Sequence, residues 1–280
     1  MDRELVFAFL VAALCGVVLI ASGWWWPAGL DDQAHTSNTE RWTWWRIWTP
    51  FAPATFVFAL LCGWWITEPR SAEPVPKAVM LAALPFAVIF GRAAWRATRA
   101  LSLPRHHLSI ATVGLLRPRI VLSPQFAKAL DKDALEAARE HERAHVRHFD
   151  PLRLWLAQFA SELLWPAPAA AIRLQAWKRA LEIARDDEAR SRGVAGPDLA
   201  AAIVVALRFN QRESAAAAKL ADEAFVRERI ARLLQPIDLR VSKERRLSTL
   251  ALALWLAIPL ALLIGMKFGE MVIGTLLIKA

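Results

Sequence analysis

Four stretches of this chain are almost free of charge. They are residues 5–22 (LVFAFLVAALCGVVLIAS), 48–66 (WTPFAPATFVFALLCGWWI), 78–95 (AVMLAALPFAVIFGRAAW) and 249–266 (TLALALWLAIPLALLIGM). Each approaches the ~20 apolar residues that a helix needs to cross a bilayer. In lipid the backbone must satisfy its own hydrogen bonds, so a helix is the only form such a run can take there. Tryptophans gather at the ends: Trp24, Trp25 and Trp26 after the first run, and Trp44, Trp45, Trp48, Trp64 and Trp65 around the second. Aromatic belts at the headgroup level have this distribution. The chain is 56% hydrophobic, against roughly 45–50% for an ordinary soluble domain. These features predict an integral membrane protein with four spans rather than a soluble protein with buried core helices.

The first run is too long for a signal-peptide core, and no small-x-small cleavage site follows it before the Trp cluster. Leu14 directly before Cys15 does not suit a lipidation site. Cys15 and Cys62 both fall inside predicted spans, so neither is expected to form a disulfide or to bind metal.

Between residues 96 and 247 the chain holds 27 Lys and Arg against 18 Asp and Glu, an excess of nine that equals its whole net charge of +9. Basic residues also flank the spans on either side of this segment: Arg92, Arg96, Arg99 and Arg105, then Lys243, Arg245 and Arg246. Basic flanks face the cytoplasm, which places the long segment inside and both termini outside. The loops 24–47 and 67–77 carry two basic residues each and do not discriminate. Topology thus accounts for the basic excess, and no nucleic-acid reading motif accompanies it. The expected division is a three-helix transmembrane region (1–100), a cytoplasmic domain (101–247), and a fourth span with a short tail (248–280).

The cytoplasmic segment opens with "LSIATVG" and "RPRIVLS", apolar β-branched runs broken by Gly114 and Pro118. They predict a strand pair or edge hairpin. Beyond Pro124 the pattern is helical. "DKDALEAAREHERAHVRHF" has an Asp start at 131 or 133 and Pro151 as a stop. Residues 152–177 are apolar but interrupted by Glu162, Pro166, Pro168 and Arg173. They predict a helix lying in or on the membrane face, although a full crossing is also compatible with them. Helices follow over 175–193, in "PDLAAAIVVALRFNQ" and in "DEAFVRERIARLLQ".

His141 and His145 stand four apart, with Glu142 after the first. At that spacing both imidazoles project from one helix face and can reach one zinc ion. Glu142, about a hundred degrees round the helix, can move a proton for a water at that ion. With six His and 15 Glu in the chain, chance would place H-E-x-x-H in roughly one such sequence in a hundred, so a third ligand is required. The metzincin pattern needs Gly at 148 and His at 151, where this chain has His148 and Pro151. Glu162 stands where a downstream glutamate could serve, but "FASELLW" lacks supporting residues. Glu182 in "LEIARDD" is the better candidate, because Asp186 one turn on could accept a second ring N–H from a ligand histidine.

The segments "ATVGLLRPRIVLSP", "EHERAHVRHFDPLRLW", "LEIARDDEA" and "RERIARLL" resemble, in order and spacing, the antirepressor-type membrane zinc peptidases. That module occurs in the β-lactam sensor-transducers of staphylococci. The resemblance implies a mainly α membrane protein: four transmembrane helices with a mostly helical, gluzincin-like α+β zinc peptidase domain and a short edge strand pair. It implies Zn2+ on His141, His145 and Glu182, Glu142 as the base, and Asp186 behind a ligand. The family's transducers continue into an extracellular penicillin-binding domain. This sequence ends at Ala280 without a Ser-x-x-Lys motif, so direct β-lactam sensing by this polypeptide is not expected. The chain also has no tyrosine, which leaves His148, Arg147 and Arg185 as the nearest candidate oxyanion donors.

The function expected is a zinc endopeptidase of the bacterial inner membrane, cutting a cytoplasmic protein such as a transcriptional repressor to relay a signal. The partners implied are that substrate and the bilayer, with no direct nucleic acid; a homo-oligomer is compatible with the sequence. Rival readings are a transducer that keeps the site without cutting, and a housekeeping membrane protease. A substrate peptide can pair with an exposed strand, for which Arg119, Ile120 and Val121 are the predicted segment. Pro118 before them suits an edge.

Overall fold

A computed structural model of the chain describes residues 3–25, 37–67, 77–101, 109–210 and 216–236. Three helices among them are long and apolar enough to cross a membrane. The first is continuous through α1 (Arg3–Leu10), a π-helical turn (Val11–Cys15) and α2 (Gly16–Trp25). The second begins at α3 (Ser37–Trp48), passes a 3-10 turn (Thr49–Phe51) and continues as α4 (Ala52–Thr67). Its candidate span, Thr39–Gly63, starts before the apolar run read from the sequence, because helix continues through Pro50 and takes in Glu40, Arg41 and Arg46. The third is α5 (Lys77–Leu101), with Pro85 inside it. The fourth apolar run, 249–266, the tail, and the basic flanks Arg105, Lys243, Arg245 and Arg246 lie outside the described residues.

The spans touch at small residues. A Cβ on Gly16 would fall 2.2 Å from the Phe86 ring of α5, so only glycine admits this approach. The Ser22 hydroxyl stands 2.5 Å from the Pro50 carbonyl oxygen, linking the first span to the break in the second.

After these helices comes an antiparallel hairpin of β1 (Ile110–Val113) and β2 (Arg119–Leu122), in register Thr112 to Ile120. Its turn starts at Gly114, whose φ of +103° and 2.5 Å distance from a built Cβ to the Arg117 carbonyl leave no room for a side chain. A short α6 (Pro124–Lys128) leads to α7 (Lys132–Arg147), capped by Asp131, whose carboxylate accepts from Ala134 N at 2.7 Å. Alanines 134, 137, 138 and 144 line the buried face of α7, letting neighbouring helices come close to the two histidines among them.

Pro151 does more than stop α7. Phe149 adopts a left-handed conformation (φ 53°), and Asp150 and Pro151 open α8 (Asp150–Leu163) at once. That conformation costs about 1–2 kcal/mol for a residue with a side chain. The stretch 152–177, read from sequence as one helix, is two: α8 ends at Leu163, and α9 (Pro168–Ser191) starts beyond Trp165 and Pro166. The prolines divide it, and among the described residues it contributes no membrane-crossing candidate. Instead α8 lies along α5, with Phe159 edge-on to Phe90 at 5.3 Å and Glu162 held by Arg92 and Arg96 at 3.0 and 3.1 Å. The chain continues through α10 (Gly196–Asn210) and α11 (Ala216–Leu233).

One core joins the second span to this helical assembly. Ile47 of α3, Ala157 and Ala160 of α8, and Leu174, Trp177 and Leu181 of α9 are buried together, with Trp44, Trp48, Phe51 and Leu154 around them. The C-terminal end of the first span arrives there too, with Gly23 against Leu164 and Ala167. The first and third spans thus end, and the second begins, on the same side, as three successive crossings require. Trp177 is wholly buried between α3 and α9. Trp177→Ala should lower unfolding stability in detergent by about 3–5 kcal/mol, measured as a fall in denaturation midpoint. A change below 1 kcal/mol would mean that α3 does not pack there.

Candidate metal centre

The two histidines of α7 converge. His141 Nε2 and His145 Nε2 are 3.1 Å apart, with their rings edge to face. Behind each ring lies a buried carboxylate. Asp150 Oδ2 stands 2.9 Å from His145 Nδ1 as a hydrogen-bond partner, and Asp186 Oδ1 stands 2.9 Å from His141 Nδ1, close but off the line of the N–H. With both Nδ1 atoms turned to carboxylates, the two Nε2 atoms face each other, a contact that needs a shared proton or a bound cation between them. Glu182 of α9 brings the third donor, with its oxygens 3.6 Å from His141 Nε2 and 3.8 Å from His145 Nε2. The three donor atoms all lie within 4.8 Å of one another. A third of the Glu182 side chain remains exposed while the histidines are nearly closed off, so the centre opens on the glutamate side.

The charges around the centre favour a cation. Burial alone would lower the pKa of His141, but Asp186 and Glu182 outweigh it and raise it to about 10. Burial would raise Glu182; the Arg229 guanidinium foremost, then His141 and His145, hold it well below the usual carboxylate range. Asp186 is held down against its burial by Arg229 and His141, and Asp150 by Arg185 and His145. At neutral pH, with no metal bound, ionised carboxylates surround a protonated His141.

Glu142 sits at the edge of this group. The Thr112 hydroxyl of β1 lies 2.7 Å from Glu142 Oε2, which aims the carboxylate. The strand touching Glu142 is therefore β1, and Arg119, Ile120 and Val121 lie on β2 across the hairpin. Glu162, the other carboxylate considered as a ligand, is on α8 with Arg92 and Arg96.

The three oxyanion candidates are engaged elsewhere. Arg185 is buried, with Nε and Nη2 on the two oxygens of Asp150 at 2.5 and 2.9 Å. Arg147 bridges Glu140 and Glu188, and His148 Nε2 meets Glu188 at 2.8 Å, on the charged outer face of α7. The cation at the centre is instead Arg229 of α11. Its Nε and Nη2 take both oxygens of Asp186 at 2.8 Å, and its Nη1 lies 3.0 Å from Glu182.

The sequence gives Asp150, Arg229 and Thr112 no role of their own: Arg229 is one residue of "RERIARLL" and Asp150 one of "EHERAHVRHFDPLRLW". The position of Asp150 five residues after His145 signals nothing on a straight helix; the left-handed Phe149 turns it back.

Losing one of these outer carboxylates should weaken metal binding by about 10–100-fold. Asp150→Asn is thus expected to raise the metal dissociation constant by that factor in a chelator competition, and an unchanged constant would disprove its role. Glu182→Ala should lose most of the metal while Glu162→Ala keeps it, as read by metal analysis of purified protein; the opposite pattern would exchange their roles. A raised pKa means that metal-free His141 holds a proton below about pH 10, which an entering ion must displace. Apparent affinity should therefore rise about tenfold per pH unit from pH 7 to 9. A flat profile would contradict that protonation.

Residues 108–233 match the family model described as BlaR1 peptidase M56, and the matched span contains every residue of this centre. No match to a curated protein or to a solved structure was found. The matched span takes in the hairpin, both histidines, Glu182, Asp186 and Arg229, and over residues 108–233 the chain is similar to the BlaR1 peptidase M56 family.

Proposed function

We propose that this protein is a zinc endopeptidase of the bacterial inner membrane that cuts a cytoplasmic protein, most simply a transcriptional repressor in a signal relay. In this reading residues 1–100 are its membrane anchor, 101–247 its gluzincin-like peptidase domain and 248–280 a fourth span and tail. The observation that carries the reading is the convergence of His141, His145 and Glu182 beside Glu142. Tetrahedral zinc binds nitrogen at about 2.0–2.1 Å, so two of its ligand nitrogens stand about 3.3 Å apart. The 3.1 Å between the two Nε2 atoms fits that ion closely.

Zinc in this ligand set supplies a Lewis acid that polarises water and a peptide carbonyl. The chain's own groups do the rest. Glu142, aimed by Thr112, takes a proton from the attacking water and delivers it to the leaving amine. Arg229, with N–H groups left beyond those spent on Asp186 and Glu182, is the fixed cation beside the open glutamate and can face a developing oxyanion.

The hairpin register favours β1 as the edge that receives substrate. Ser123 N donates to Ser109 O at 3.0 Å, and antiparallel pairs alternate between hydrogen-bonded and non-bonded. The backbone groups of Ile110 and Thr112 therefore turn outward from β1, and those of Ile120 and Leu122 from β2. An extended peptide pairing with Thr112 passes next to Glu142.

Glu142→Gln should keep its zinc and lose at least a hundredfold in cleavage of a candidate repressor; retained activity would rule out the proposed base. Ile110→Pro should reduce cleavage severely with zinc retained, while Ile120→Pro should be tolerated. If Ile120→Pro is the damaging one, the peptide lies along Arg119–Val121 instead. A periplasm-dependent reporter should be active when fused after Ala280 and silent near Gly193; the reverse would place the site outside.

A further inference from the structure

A line of charges, buried at Glu40 and Asp150 and half-buried at Arg153, runs from the second membrane helix to His145 of the candidate metal centre. Glu40 lies in the first turn of α3, and its carboxylate is nearly closed off from solvent. It accepts from Trp177 Nε1 at 3.2 Å and from Arg153 Nη2 in a short contact. The Arg153 guanidinium is set over the Trp44 and Trp177 rings, 4.8 and 5.6 Å from their centroids, and its Nη1 reaches Asp150 Oδ1 at 3.1 Å. Asp150 in turn holds His145 Nδ1. Three consecutive charged contacts thus join α3 to the imidazole.

Charge balance says what Glu40 does. Asp150 is approached by two guanidinium groups, Arg153 and Arg185, as well as by the imidazole. Arg185 also has a longer contact with Glu188, at 3.7 Å, whereas Arg153 has Glu40 and Asp150. Without the Glu40 charge, Arg153 would draw on Asp150 alone, the carboxylate that must also hold Arg185 and orient His145, beside a site for a further cation. In a buried setting that imbalance has no solvent to spread it.

We propose that Glu40 is a positioning residue for the metal centre. It holds Arg153, Arg153 holds Asp150, and Asp150 aims His145, so the seating of the second membrane helix sets how firmly the metal is bound. This rests on the reading of His141, His145 and Glu182 as a metal site and not on peptide cleavage.

The test uses the full chain in detergent or nanodiscs, with zinc affinity from chelator competition and the visible spectrum of the cobalt-substituted protein. Glu40→Gln should weaken zinc binding by on the order of tenfold and alter the cobalt bands, and Glu40→Asp should recover part of both. In the Asp150→Asn background, Glu40→Gln should add little, because the link is already cut. Arg153→Lys keeps the charge without the fork that bridges two carboxylates, and should weaken zinc binding even if Glu40→Gln does not fold. Unchanged zinc affinity and cobalt spectrum in folded Glu40→Gln or Arg153→Lys would overturn the proposal, as would an additive loss in the double variant. Failure of the wild-type protein to cut any repressor, with tight zinc binding and these effects intact, would count against the peptidase reading alone.

Discussion

Two imidazole nitrogens 3.1 Å apart, each with a carboxylate behind its other nitrogen, impose a demand that the surrounding helices meet. One helix supplies both rings, but the carboxylates come from elsewhere: Asp150 from the start of α8 and Asp186 from the C-terminal part of α9. Each brings its own counter-ion, Arg185 for the first and Arg229 for the second. The arrangement of α7, α8, α9 and α11 is in this sense the set of positions from which those groups can reach two rings at once. The left-handed Phe149 is part of the same demand, since it turns Asp150 back under His145, five residues before it.

Such charge networks do little for stability. Desolvating buried ions costs about as much as their attraction returns, although removing one partner alone is damaging. The free energy that keeps these helices together comes from apolar burial: Trp177 and Leu181 against α3, Ala137 and Ala189 with Leu199 and Leu233, and Phe126 under the hairpin. The alanines of α7 contribute by being small, since larger side chains would hold α9 and α10 away from the ligands. Packing brings the elements together, and the ion pairs fix the orientation of the rings.

The core between α3 and α9 joins the second span to the candidate metal centre. Ile47 of that span, with partly buried Trp44 and Trp48, packs against buried Trp177 on the helix bearing Glu182. The Arg92–Glu162–Arg96 cluster ties α5 to α8 in the same way. Both attachments reach helices that supply groups to the metal centre.

The amino-acid order alone carried the parts governed by local periodicity. The first three apolar runs declare themselves because a bilayer leaves the backbone no other option. His141 with His145, and Glu182 with Asp186, are each four apart, so a helix puts them on one face whatever surrounds them; Asp131 and the β-branched runs around Gly114 are equally local. Nothing local marks Thr112, Asp150 or Arg229, because Thr112 meets Glu142 across 30 residues and Arg229 meets Asp186 across 43. Nor could the sequence show that Arg185 is already committed to Asp150, or that charged Glu40 continues the second span. A charge reads as a helix boundary until its buried partners are known, and those partners lie on helices that only tertiary packing brings together.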